Sequence, residues 1–160
     1  MKHLIGDTSG LIHLITSMVA LIAGSLVLIM EKGTKQHKLI GYVYVVSMSI
    51  LILTAFMIYR LFEGWGAFHY ASVISLLTIA LGMIPIWTKK PEKQWKYLHF
   101  SFMYWSVMGL YSAFIAEILT RVPNTPFFGM VGIAVGLIMT VGGIYFGINK
   151  SKWKKLFQLE

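Results

Sequence analysis

The side chains in this sequence with most chemistry to offer are four histidines, His13, His37, His69 and His99. Each falls near the beginning of a long apolar stretch, one histidine to a stretch; the remaining one, His3, precedes them all. If the stretches are helices crossing a membrane in alternating directions, their beginnings alternate between its two faces. His13 and His69 then share the outer level, and His37 and His99 the inner. In an up-down four-helix bundle the first and third helices face each other across a diagonal, as do the second and fourth. Two imidazoles meeting at one depth suit the two axial positions of a haem iron, and helical bundles host such groups in their cores. Two layers would hold two b-type haems, His13 with His69 and His37 with His99. That arrangement is an electron path across the bilayer, the chemistry of an electron-transfer oxidoreductase with a quinone or quinol as partner.

The neighbouring residues agree with this expectation. Gly41 lies four residues after His37 on the same helical face, where a missing side chain would let a flat macrocycle approach the backbone. Lys35, Lys38 and Lys96 are placed to meet propionates at the inner level, and Arg60 and Arg121 at the outer. Aromatic residues crowd the inner pair, among them Tyr42, Tyr44, Trp95, Tyr97, Phe100 and Tyr104.

Glu117 is the only acidic residue well inside a stretch, and an intramembrane carboxylate marks a functional site by default. It is a candidate proton acceptor beside a quinol. Arg121, four residues on, is an equally natural helical partner for it. His13, His69 and Glu117 also fall at one face, and two histidines with a glutamate can hold zinc with one position open. A zinc-dependent membrane enzyme is therefore the rival chemistry. A third reading needs no cofactor: histidine, tryptophan and tyrosine all sit comfortably at the membrane–water boundary, and the protein is then an accessory or transport protein.

The elements that would position these residues follow from composition. The chain has 160 residues, 57% hydrophobic and 12% charged, with no cysteine. A soluble domain carries about 25% charged residues, so a soluble enzyme is excluded, as are a disulfide scaffold and cysteine chemistry. Five apolar stretches, at about 9–30, 37–59, 68–87, 98–119 and 127–148, are each long enough to cross a hydrocarbon core of about 30 Å as a helix. Their length and lack of alternation favour helix over strand. The fold class expected is an all-α integral membrane protein of five transmembrane helices, the first four an up-down bundle. Asp7 or Thr8 would cap the first helix, and Pro85 falls where a helix break costs least, near the end of the third.

The charge of +8 would suggest nucleic acid in a soluble protein, but its placement gives it another meaning. Eleven of the 14 basic residues lie in three segments: after stretch one, after stretch three, and in the tail at 149–160. Those segments share a side, so the positive-inside rule puts the N-terminus outside and the C-terminus in the cytoplasm. The expected location is a multi-pass position in the inner or plasma membrane of a bacterial cell, with lipid and no nucleic acid as partner. The basic tail would also lie on anionic lipid. The N-terminus lacks the pattern of a cleaved leader. Stretch five is rich in glycine, and Gly132 with Gly136, like Gly143 with Gly147, has the spacing that lets helices approach closely, within the chain or in a homodimer.

Two segments carry a resemblance. KGTKQHKLIGYVYV fits the pattern KG-x-x-x-H-x-x-x-G-x-x-Y-V of a bacterial family of membrane proteins catalogued as domain of unknown function 2306. LHFSFMYWSVMGLYSAFIAEILTRVP is similar to the same family through His99, Met103, Tyr111, Glu117 and Arg121. The likeness covers about Leu11 to Pro123. It implies the architecture and the choice of motif residues, and no particular activity. The histidine layout is also similar to that of diheme b-type membrane cytochromes of the cytochrome b561 class, which place one pair on alternate helices in each leaflet.

Overall fold

The computed structural model describes residues 8–58 and 64–157, and every regular element among them is helical. The helices are α1 (Thr8–Ile29), α2 (Lys35–Ala55), α3 (Ala67–Thr88), α4 (Trp95–Leu119) and α5 (Phe127–Leu156). All five are long and apolar enough to cross a membrane, as the composition predicts. Asp7, Tyr59 and Arg60 lie outside the described residues. The chain divides into two compact units, Met1–Leu76 and Leu77–Glu160, with the division inside α3.

Helix ends differ from the expected ones for local reasons. Thr8, where the described residues begin, is already helical and so is not the cap of α1. α2 begins at Lys35 because the Thr34 hydroxyl accepts from the amide of His37 at 3.1 Å. That is an N-cap, which satisfies one of the four free donors of a helix start. α5 does not stop where hydropathy falls at Asn149 but continues to Leu156. Lysine and leucine are good helix formers, so the loss of apolar character ends the membrane span and not the helix. Pro85 sits inside α3, in its last turns.

In the first unit α1 and α2 form a hairpin whose turn is fixed residue by residue. The Lys32 ammonium donates to the carbonyls of Val27, Leu28 and Met30 at 2.7, 2.8 and 3.0 Å. Val27 and Leu28 belong to the last turn of α1, whose carbonyls lack intrahelical amide partners, and Met30 follows it; the positive charge also opposes the helix dipole. Partial burial lowers the lysine's pKa from its ordinary value. Gly33 follows at φ +83, a left-handed conformation that glycine adopts without strain. Thr34 then caps α2. The hairpin buries Ala20, Ala23, Gly24 and Val27 of α1 and Tyr44, Ser47, Met48 and Ile52 of α2. Large apolar side chains such as Ile22, Ile29, Leu39 and Leu53 point outward. The small residues Ala20, Ala23 and Gly24 let α1 approach the larger Tyr44 and Met48 of α2, and the bulky apolar surface left outside suits lipid.

In the second unit α4 packs on α5. The hydroxyl of Tyr104, a buried residue, donates to the carbonyl of Gly142 at 2.8 Å. The helices approach closely at Gly142: a Cβ there would lie 2.9 Å from the sulfur of Met108. Towards the end of α5 the contact becomes aromatic. Phe100 meets Trp153 with ring centroids 4.7 Å apart, Phe146 meets Trp153 at 5.0 Å, and Tyr104 meets Phe146 at 5.2 Å. Each such pair contributes roughly 0.5–1.5 kcal/mol beyond its buried area. Gly132 and Gly136 take no part, since a Cβ at either would meet nothing within 4 Å.

Candidate functional site: the span histidines

The four histidines differ in what their ring nitrogens are committed to. A neutral imidazole carries one proton, and a histidine that binds a metal through Nε2 normally donates from Nδ1 to an acceptor behind it. The partner of Nδ1 therefore says which nitrogen holds the lone pair.

His99, in the second turn of α4, places Nδ1 2.9 Å from the carbonyl oxygen of Gly82. A carbonyl can only accept, so Nδ1 carries the proton and Nε2 keeps its lone pair. Gly82 permits this approach. It packs against α4 so closely that a Cβ would lie 2.8 Å from the Met103 sulfur and 3.4 Å from Cβ of Phe102. Pro85, three residues later, lacks the amide that would have bonded the carbonyl of Leu81, so the helix bonding is already interrupted beside this contact.

His13 has the same disposition through a hydroxyl. Its Nδ1 lies 3.0 Å from Oγ1 of Thr54. That hydroxyl sits 2.9 Å from the carbonyls of Ile50 and Leu51. When the hydroxyl gives its single proton to one of these carbonyls, Oγ1 accepts from Nδ1 of His13 and Nε2 holds the lone pair.

His69 is the reverse. The amide of Gly66 donates to its Nδ1 at 3.1 Å. Nδ1 is thus the acceptor, and Nε2 carries the proton. His69 occupies the third position of α3, and its side chain reaches back to the amide before the helix, as glutamate or glutamine does in a capping box. The ring is 4% exposed, stacked on Trp65 at 5.7 Å and packed against Phe56 at 6.3 Å. Iron at Nε2 would require the proton to move to Nδ1 and the Gly66 bond to open.

His37 takes the third position of α2, its amide held by Thr34 and its ring half-buried. A Cβ at Gly41 would meet nothing within 4 Å, so no packing among the described residues accounts for that glycine. His13 and His69 come to the same end of α2, one through Thr54 and the other through Phe56. His37 belongs to the first unit and His99 to the second.

The charged residues fall as follows. Glu117 is paired with Arg121 one helical turn on, and both side chains are about half exposed. Lys35, Lys38 and Lys96 are exposed, and Lys96 lies 5.6 Å from the ring centre of Trp95. Arg60 is outside the described residues. Among the described residues no three of His, Asp and Glu form a group able to hold a metal ion. Sequence reasoning passed over Thr54, Gly66 and Gly82. Thr54 was visible as a polar residue in LILTAF, whereas the other two act only through their backbones.

Five long apolar helices with large hydrophobic side chains exposed along them define a multi-pass helical membrane protein. The family described as predicted membrane protein (DUF2306) matches residues 10–147. The chain belongs to that family. Neither the curated proteins nor the solved structures yield a match.

Proposed function

We propose that the protein is a membrane cytochrome of the b type, in which span histidines ligate haem iron and electrons cross the bilayer from a quinol. The observation that carries this reading is the bond from His99 to the carbonyl of Gly82. A backbone acceptor behind Nδ1 fixes the ring, selects the tautomer with a lone pair on Nε2 and raises its basicity, as it does for ligating histidines in general. His13 is prepared in the same sense by Thr54. The open backbone at Gly41 leaves room beside His37 for a flat group. Haem would supply one-electron chemistry, and the chain supplies ligands, their orientation and an apolar surround. Glu117, paired with Arg121 at the end of α4, would take up protons that quinol oxidation releases.

A second reading is favoured at one histidine. His69 caps α3 and stacks on Trp65, which is a structural role. In that case the outer level holds no bis-histidine haem, and the protein carries at most one. The deciding experiment is the absorption spectrum and haem content of protein purified after expression with ample haem. A reducible α-band with two haems per chain supports both layers, and one haem supports the level of His99 alone. No Soret band overturns the proposal.

A further inference from the structure

The end of α5 holds a feature that the redox reading does not use. Gly147, Lys150, Ser151 and Lys154 line an open notch of about 330 Å³. Their spacing of three, four and seven residues puts them on one stripe of the helix. Gly147 leaves the helix backbone open there, since even a Cβ would meet nothing within 4 Å, and two lysines and a serine line the notch beside it.

Two further facts place this notch. α5 has 30 residues, about 45 Å of helix against a hydrocarbon core of about 30 Å. The residues from Phe127 to Asn149 are uncharged and take up the core, so Lys150 and Lys154 emerge at headgroup level. The emerging turns are also fastened. Trp153 packs on Phe100 at 4.7 Å, and Phe157 packs on Phe100 at 5.5 Å and on Tyr97 at 6.4 Å. These aromatic residues lie about 100° around the helix from the notch. The fastening face holds the helix against α4 and leaves the notch turned to its surroundings.

We propose that this notch binds the phosphate headgroup of an anionic phospholipid in the leaflet at the basic end of the protein. Two donors of positive charge and a hydroxyl match a phosphodiester oxygen set, and Gly147 allows the glycerol backbone to lie against the helix. Ile144 and Ile148, both exposed, continue towards the core as a surface for the acyl chains. The site is independent of the haem reading.

The test is native mass spectrometry of the full chain in detergent, offered phosphatidylglycerol or phosphatidylcholine in equal amount. The wild-type protein should retain phosphatidylglycerol preferentially. A lysine beside an anionic headgroup is worth roughly fivefold in affinity, so Lys150→Gln with Lys154→Gln should cost roughly 25-fold. Lys152→Gln with Lys155→Gln removes the same charge from other faces of the helix and should change retention by less than about twofold. If the first double variant fails to fold, the single changes at Lys150 and Lys154 carry the test, each expected to cost roughly fivefold. Equal losses in both double variants, no preference in the wild type, or displacement of the lipid by inorganic phosphate at equal concentration would each overturn the proposal.

Discussion

Gly66 and His69 are bonded to each other in both directions. The Gly66 amide donates to Nδ1 of His69 at 3.1 Å, and the Gly66 carbonyl accepts from the His69 amide at 3.0 Å. The ring thereby closes the start of α3, and its orientation is set by that task. Removing it frees a buried donor. His69→Ala should lower stability by about 1–2 kcal/mol, while His69→Gln, which can still accept from the amide, should recover at least half of the loss. Thermal unfolding in detergent measures both. If His69 is instead an iron ligand, the glutamine variant loses haem as completely as the alanine variant.

His99 should behave differently. Its ring is oriented by a carbonyl on another helix, so its Nε2 lone pair is available and its cap-forming value is nil. His99→Ala should remove the haem at its own level, which abolishes the spectrum of a one-haem protein and halves the haem content of a two-haem one, while the helix content by circular dichroism stays the same. Retention of the full band in this variant would exclude His99 as a ligand.

The two histidines show what the sequence makes legible and what it hides. Four imidazoles at the beginnings of four apolar runs could be read directly, and so could the five helices, because a span of about 20 uncharged residues has few alternatives. Which nitrogen of each ring holds the proton could not be read. That depends on Gly66 and Gly82, which contribute an amide and a carbonyl and no side chain. Helix ends were equally hidden where hydropathy and helix propensity part company. Residues 149–156 read as a charged tail and are the last two turns of α5. Lys32, Gly33 and Thr34 could be read only as the start of the family pattern, yet all three build the turn between α1 and α2.

Gly82 sets the distance at which His99 meets α3. An added methyl group would fall 2.8 Å from the sulfur of Met103, and a methionine side chain can move aside. Gly82→Ala should therefore cost only about 1 kcal/mol, at the low end for overpacking. Gly82→Leu cannot be absorbed in this way and should cost more than about 3 kcal/mol. The readout that separates packing from function is the His99 environment. In the leucine variant the haem α-band should shift or vanish, whereas in Tyr104→Phe, which removes only the buried bond to Gly142, stability should fall by about 1 kcal/mol with the band unmoved.

Lys32 provides a test of the hairpin alone. Its ammonium holds three carbonyls at the end of α1, and methionine has similar length without donors. Lys32→Met should destabilise the protein by about 1–2 kcal/mol. Gly33→Ala alone should cost about 1 kcal/mol because it forces a Cβ into the left-handed region. The two sit in one turn, so the double variant should lose less than the sum. Additive losses would mean that the cap and the turn form separately.

Glu117 and Arg121 form an ion pair along one helix, about half exposed on each side. Such a pair contributes about 0.3–0.5 kcal/mol at most, so Glu117→Gln should leave the melting temperature within a degree or two. If the carboxylate serves only the pair, Glu117→Gln and Arg121→Gln should be equally silent in electron transfer from quinol. If it accepts the protons that quinol gives up, the glutamine variant should lose at least tenfold in rate, since a positioned base contributes about 100-fold or more. Aspartate at position 117 should then restore part of that rate while failing to rebuild the pair, because its shorter side chain withdraws from Arg121. The aspartate variant is therefore decisive: rescue of rate without rescue of pairing assigns Glu117 to proton transfer, and silence in all three variants leaves it as half of an ion pair at the end of α4.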